Sequence, residues 1–122
     1  MRIIVTGSHR WSDDISVYQA LTMAYRERGP FVLVHGACAT GADAMAHHWY
    51  TVAGQTLGVH EVRYPPDRGR YGRRAGPLRN QQMIKAGADL VLAFPLPGAA
   101  GTQGTIQLAR AAGIRVKVMG HE

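Results

Sequence analysis

The sequence predicts an α/β protein: a Rossmann-like three-layer α/β/α sandwich on a mainly parallel sheet of about five strands. Two observations lead there. Five short apolar runs, most of them continuous and β-branched, alternate with four stretches of helical period. Strands without polar alternation are those buried on both faces, as in parallel sheets covered by helices. Right-handed crossovers between such strands then place helices on both sides of one sheet.

Arg2–Thr6 (RIIVT) is the first predicted strand. Ser12–Asp14 supply capping oxygens for a helix whose Ile15, Tyr18, Leu21 and Tyr25 share a face. Phe31–His35 (FVLVH) follows as the second strand. Ala42, Met45, Ala46, Trp49 and Val52 then form the apolar stripe of a second helix. Val59–Tyr64 is the third strand. Pro77 opens the third helix at the first-turn position it favours, and Gly87 ends it. Asp89–Phe94 is the fourth strand. The fourth helix runs from about Gln103 to Ala112 and is closed by Gly113, before the last strand, Ile114–Val118.

A chain of 122 residues suits a single domain, 1–122, and no internal repeat or linker divides it. Apolar content of 46% is enough for one ordinary core, which argues against disorder. No apolar run approaches the ~20 residues that span a bilayer. The start MRIIVTG has no signal-peptide pattern, so a cytoplasmic protein without membrane contact is expected. The single cysteine, Cys38, excludes an internal disulfide framework and a multi-cysteine metal site. No catalytic residue, metal site or resident cofactor is assigned.

The net charge of +6 and pI near 10.1 favour an anionic partner. Twelve of the 14 cations are arginines. Six of those fall in residues 63–79, RYPPDRGRYGRRAGPLR, against one acid. That segment reads either as a solvated, partly mobile loop or as a cationic lid over an anionic ligand.

In an open parallel sheet, ligands bind beyond the carboxyl ends of the strands. Three small-residue loops leave that edge: Thr6–Trp11, His35–Asp43 and Pro95–Thr105. Such loops let backbone N–H groups and helix N-termini approach phosphate closely. None of them is the G-x-G-x-x-G dinucleotide fingerprint or the P-loop, which disfavours ordinary NAD dehydrogenases and nucleoside triphosphatases. Arg79 and Asn80 fall in the first turn of the third helix, where the arginine opposes the dipole unless an anion sits nearby. Arg10 has the same two readings, solvated or anion-binding. Asp43 reads as a helix cap or as a contact to a ribose hydroxyl. His47 and His48 are adjacent, point to different helix faces, and read as structural or surface residues. Cys38 has no adjacent base and reads as a bystander thiol.

These pieces, in this order, resemble the SLOG superfamily of Rossmannoid nucleotide-binding domains, and within it the stand-alone YspA/YpsA-type members of bacteria and phages. The matching residues are Thr6-Gly7-Ser8 with Arg10-Trp11, His35-Gly36-Ala37 with Thr40-Gly41-Ala42-Asp43 and Ala46, and Ala75–Asn80 with Met83. Ala88–Pro95 and the last glycine/threonine loop complete them, over essentially the whole chain.

The resemblance implies a sensor or sequestering module for a small phosphorylated ligand, a nucleotide or an ADP-ribose- or NAD-related molecule. The implied contacts are Gly7, Ser8 and Arg10 in the first loop and Gly36, Gly41 and Asp43 in the second. Arg79 and Asn80 would clamp phosphate, and Gly101, Thr102, Gly104 and Thr105 would cradle it. Trp11 would stack on a base or pack. A homo-oligomer, dimer or tetramer, is also implied. Two related families supply alternatives. DprA resembles the chain at Gly7–Arg10, Gly36–His47 and Arg79–Asn80, which implies single-stranded DNA binding through Arg63–Arg79, with Tyr64 and Tyr71 as platforms. Gln81 replaces the last arginine of DprA's run, and DprA's further domains are absent. The LOG phosphoribohydrolases resemble it at Gly101–Thr105, but their catalytic glutamate position falls on Leu108, which can neither activate water nor stabilise positive charge. The enzyme reading is therefore the least favoured.

Overall fold

The computed structural model describes residues 1–120. Five strands, β1 (Arg2–Gly7), β2 (Val32–His35), β3 (His60–Arg63), β4 (Leu90–Phe94) and β5 (Val116–Val118), form one sheet in the order β3-β2-β1-β4-β5. Every pairing is parallel. The central strands β1 and β4 are apolar on both faces. The edge strands carry His60, Arg63 and Lys117 outward, which blunts edge-to-edge pairing. Strand order reverses between β1 and β4, and that is the switch point where loops diverge to opposite faces.

Among the described residues there are five α-helices: α1 (Asp14–Arg28), α2 (Gly41–Trp49), α3 (Arg68–Tyr71), α4 (Ala75–Lys85) and α5 (Ala100–Ala111). Ile3, Val5, Leu33, Leu90, Leu92 and Phe94 pack against α1 and α2 on one face. Ile4, Val34, Val91 and Ala93 pack against Met83 and Ile84 of α4 and Ile106 and Ala109 of α5 on the other. The three-layer α/β/α sandwich is therefore present, with a core on each side of the sheet. No helix among the described residues is long and apolar enough to cross a membrane.

Four details depart from the sequence reading. In α1 the buried face is Val17, Ala20, Leu21 and Ala24, while Ile15 is 61% exposed and Tyr18 and Tyr25 sit half-buried on the shoulders. Asp13 caps α1, accepting from Ser16 N–H at 3.1 Å. The stripe of α2 stops at Trp49, because a π-turn over Tyr50–Gly54 shifts the register and turns Val52 outward.

Residues 63–79 are not a continuous loop. Asp67 caps α3 through Arg70 N–H, a 3-10 turn covers Gly72–Arg74, and α4 begins at Ala75, two residues before Pro77. Proline is tolerated there because first-turn N–H groups have no helical partner. Finally, α5 begins at Ala100 rather than about Gln103, so Gly101 and Gly104 lie within the helix.

Candidate functional site

A cleft of about 870 Å³ opens at the carboxyl edge of the sheet over the β1/β4 switch point. Its walls come from the loops after β1, β2 and β4, together with Arg68 and Arg79, Asn80 and Met83 of α4. Gly7, Ser8, Arg10, Asp43, Arg79, Asn80, Gly101 and Thr102 all line it, as the sequence places them. So do Cys38, Ala39, Thr40 and Arg68.

Ser8 organises the first loop. Its carbonyl accepts the N–H groups of Trp11 (3.1 Å) and Ala42 (3.4 Å), and its hydroxyl accepts that of Arg10 (3.1 Å). The start of α2 therefore rests directly on the loop after β1. Gly41 permits this contact: its φ is +74°, and a Cβ there would collide with the Ser8 carbonyl and the His9 backbone.

Asp43 is buried, and its carboxylate accepts the N–H groups of Gly36 (3.1 Å) and Cys38 (3.3 Å). It ties the second loop down instead of capping its own helix. Burial raises its pKa above the usual carboxylate value, against the lowering influence of His35, the two N–H groups and Arg79.

Arg79 is held at three points. Its guanidinium donates to the carbonyl oxygens of Gly36 and Tyr64, the latter at 3.3 Å, and to Asn80 Oδ1 at 2.7 Å. Gly36 is glycine because any Cβ would strike that guanidinium. Burial lowers the Arg79 pKa, with Asp43 and Cys38 opposing the shift. Arg10, Arg68 and Arg79 thus surround a cleft in which Asp43 is the one lining carboxylate. The N-cap positions of α2 (Thr40) and α5 (Ala99) border the same space, and neither side chain makes a capping hydrogen bond. Guanidinium groups beside uncapped helix N-termini favour an anion.

The remaining sequence-nominated residues lie elsewhere. Trp11 is 3% exposed, edge-on to Phe94 at 5.4 Å, with its indole N–H donating to the Asp13 carbonyl and Ser16 Oγ. It packs rather than presenting a ring face to the cleft. Gly36 and Gly41 shape the walls from behind. Gly104 and Thr105 border a second groove of about 490 Å³ between α4 and α5. Thr105 is fully buried, its hydroxyl donating back to the Gly101 carbonyl at 3.1 Å. Leu108 also lines that groove and not the cleft.

Sequence reasoning missed one cluster. Glu61 Oε2 lies 2.7 Å from both His35 Nε2 and His47 Nδ1, joining β3, β2 and α2 just behind the second loop. Burial pushes the Glu61 pKa up, but the two histidine hydrogen bonds and charges outweigh it and hold the carboxyl below its ordinary range. His35 and His47 were each visible as histidines. Glu61, 26 and 14 residues away from them, carried no signal of the pairing.

A sequence model of the YspA, cpYpsA-related SLOG family matches residues 1–71. The gene 61 protein of Mycobacterium phage D29 is 39% identical over 118 residues, covering 94% of this chain and 93% of that protein. Among solved structures, the C-terminal domain of the PF1911 hydrogenase of Pyrococcus furiosus superposes with a TM-score of 0.57 over 96% of this chain and 89% of its own. At 12% identity that similarity is one of fold alone.

Proposed function

Since the chain belongs to the YspA, cpYpsA-related SLOG family, for which nucleotide-related binding is the general expectation, we propose that it binds a small phosphorylated ligand in the β1/β4 cleft. The ligand is a nucleotide or an ADP-ribose- or NAD-related molecule, and the protein acts as a cytoplasmic sensor or sequestering module. One observation carries the reading: Arg79 is fixed at the cleft wall by two carbonyls and Asn80, and the uncapped start of α5 borders the same cleft. With Nε and Nη1 already committed, a guanidinium immobilised in advance loses little entropy when its free Nη2 donors meet a phosphate. Gly7, Ser8, Arg10, Asn80, Gly101 and Thr102 provide the remaining contacts, with Asp43 available to a ribose hydroxyl.

A thermal-shift panel tests this: AMP, ADP-ribose, NAD, cyclic nucleotides and a short oligo-dT, at low and moderate salt, on the natural protein and on Arg79→Ala. Ligand at about 100 times its Kd adds about 2.7 kcal/mol, a shift of several degrees in a domain of this size. The proposal expects a salt-tolerant shift with one nucleotide that Arg79→Ala abolishes. Silence across the panel overturns it. Light scattering in the same samples distinguishes the 13.3 kDa monomer from the dimer or tetramer that the family resemblance implies.

A second reading, single-stranded nucleic-acid binding, draws support from the surface of residues 68–74. Arg68, Arg70, Arg73 and Arg74 are exposed there, with Arg70 lying 5.2 Å from the centre of the exposed Tyr71 ring. In that case oligo-dT alone stabilises the protein, and the shift fades as salt rises.

A further inference from the structure

Ala37 is the one non-glycine residue among those described that has a left-handed backbone, at φ +58°. L-residues avoid that region, so something must hold it there. Both restraints act on a single peptide unit. Ala37 N–H donates to His35 Nδ1 at 3.0 Å, and the Gly36 carbonyl on the opposite side of the same plane accepts from Arg79. The Gly36–Ala37 peptide is thus suspended between an imidazole nitrogen and the guanidinium of the cleft.

The first restraint fixes the state of His35. With Nδ1 accepting, the ring proton is on Nε2 and points at Glu61 Oε2, 2.7 Å away. In the observed peptide orientation, His35 Nε2 therefore donates to Glu61 and has no lone pair free for a cation, although the ligand atoms of His35, His47 and Glu61 lie within 4.8 Å of one another. A metal on Nε2 would move the proton to Nδ1 and set it against the Ala37 N–H, donor facing donor. The cluster is a hydrogen-bonded network in which His35 can gain a proton. His47, whose side chain is 44% exposed, connects it to solvent.

A second proton on His35 has a local consequence. Nδ1 becomes a donor and can no longer accept from Ala37. A half-turn of the Gly36–Ala37 peptide restores the match by aiming the Gly36 carbonyl at Nδ1–H. The same rotation carries φ of Ala37 to about −120°, inside the ordinary extended region. The Gly36 N–H bond to Asp43 belongs to the preceding peptide and is untouched. Arg79, however, loses the Gly36 carbonyl and keeps only Tyr64 and Asn80.

We propose that the Gly36–Ala37 peptide is a two-position switch, set by protonation of His35, that gives Arg79 its Gly36 anchor at neutral pH and withdraws that anchor in acid. The groups facing His35 are Glu61 and Arg63 on β3, His47 and Asp43 on α2, and Arg79 on α4. The effect on the ligand rests on the role given to Arg79 above: releasing the anchor weakens binding of the phosphorylated ligand.

Nitrogen NMR of the ligand-free chain over roughly pH 5 to 8, the range in which histidine changes charge, decides the switch itself. The expected result is the Nε2-protonated tautomer of His35 at the alkaline end, with the Ala37 amide titrating at the same midpoint as the His35 ring. Ala37→Gly removes the penalty on the left-handed form and lowers that midpoint by about one pH unit. An Nδ1-protonated tautomer, an Ala37 amide that ignores His35, or an unchanged midpoint in Ala37→Gly each overturns the proposal. Titration with NAD, whose phosphate charge is constant over this range, supplies a separate arm. Weakening along the NMR midpoint extends the switch to the cleft, and affinity that holds constant across it overturns that link. If NAD does not bind at any pH, the ligand reading loses that candidate, while the NMR result still decides the switch.

Discussion

Arg79 of α4 donates to the backbone carbonyl of Gly36, 43 residues earlier in the chain, and the absent side chain at Gly36 is what gives the guanidinium its place. This contact joins the loop after β2 to the helix that follows the arginine-rich segment. It also sets the position of the cation on which the ligand proposal depends.

Gly36→Ala should therefore act on the cleft more than on the core. Its methyl meets only the far end of the Arg79 side chain and displaces the guanidinium, at a cost of about 1 kcal/mol for each hydrogen bond lost. Thermal denaturation should show a drop of several degrees, and nucleotide stabilisation should be lost as in Arg79→Ala. Undiminished ligand response in this variant would show that Arg79 works from another position.

Gly41→Ala tests the joint between the first two loops. The substitution strains a positive φ and drives a methyl into the Ser8 carbonyl, so destabilisation of about 1–3 kcal/mol is expected. Urea denaturation measures it, with m unchanged if the fold is kept. A cost within experimental error would mean that the start of α2 does not rest on Ser8.

Asp43 carries a raised pKa, chiefly from burial, so the folded state resists its ionisation more than the unfolded chain does. Its stability contribution is therefore full below the ordinary value of 3.8 and declines as pH rises through the folded-state pKa. Asp43→Asn keeps an acceptor oxygen for Gly36 and Cys38 and removes the titration. Its stability relative to the natural protein should improve as pH rises across that window. Parallel pH profiles for the two proteins would contradict the assignment.

Glu61 has the opposite sign. Its lowered pKa makes a contribution that is present above the ordinary value of 4.5 and lost as pH falls through the folded-state pKa. Glu61→Gln weakens one or both histidine hydrogen bonds, at a cost of about 1–3 kcal/mol near neutrality. Chemical denaturation at stepped pH should show that deficit shrinking below 4.5. A deficit equally large in acid would mean that packing, not charge, is what Glu61 supplies.

Much of this protein was legible in its sequence because the signals are local. Short apolar runs, most of them continuous, located the five strands to within two residues, and their alternation with helical stretches dictated a parallel sheet with helices on both faces. The edge bearing the cleft followed from where small-residue loops fall, as did Gly7, Ser8, Arg10, Asp43, Arg79 and Asn80 along its walls. Only the tertiary structure decided the rest. Burial of Thr102 and Thr105 overrode the low helix propensity of two glycines, so α5 began early and Thr105 lies in the core rather than the cleft. Trp11 was drawn inward by Phe94, and the arginine-rich segment coiled into short helical turns capped by Asp67. The His35–Glu61–His47 network exists because the sheet order sets β3 beside β2 with Leu33 opposite Glu61, while α2 crosses above them. Hydrophobic period and turn chemistry act over a few neighbouring residues. Register and layer packing act between residues brought together only by folding, and those contacts set the state of His35, the strain at Ala37 and the position of Arg79.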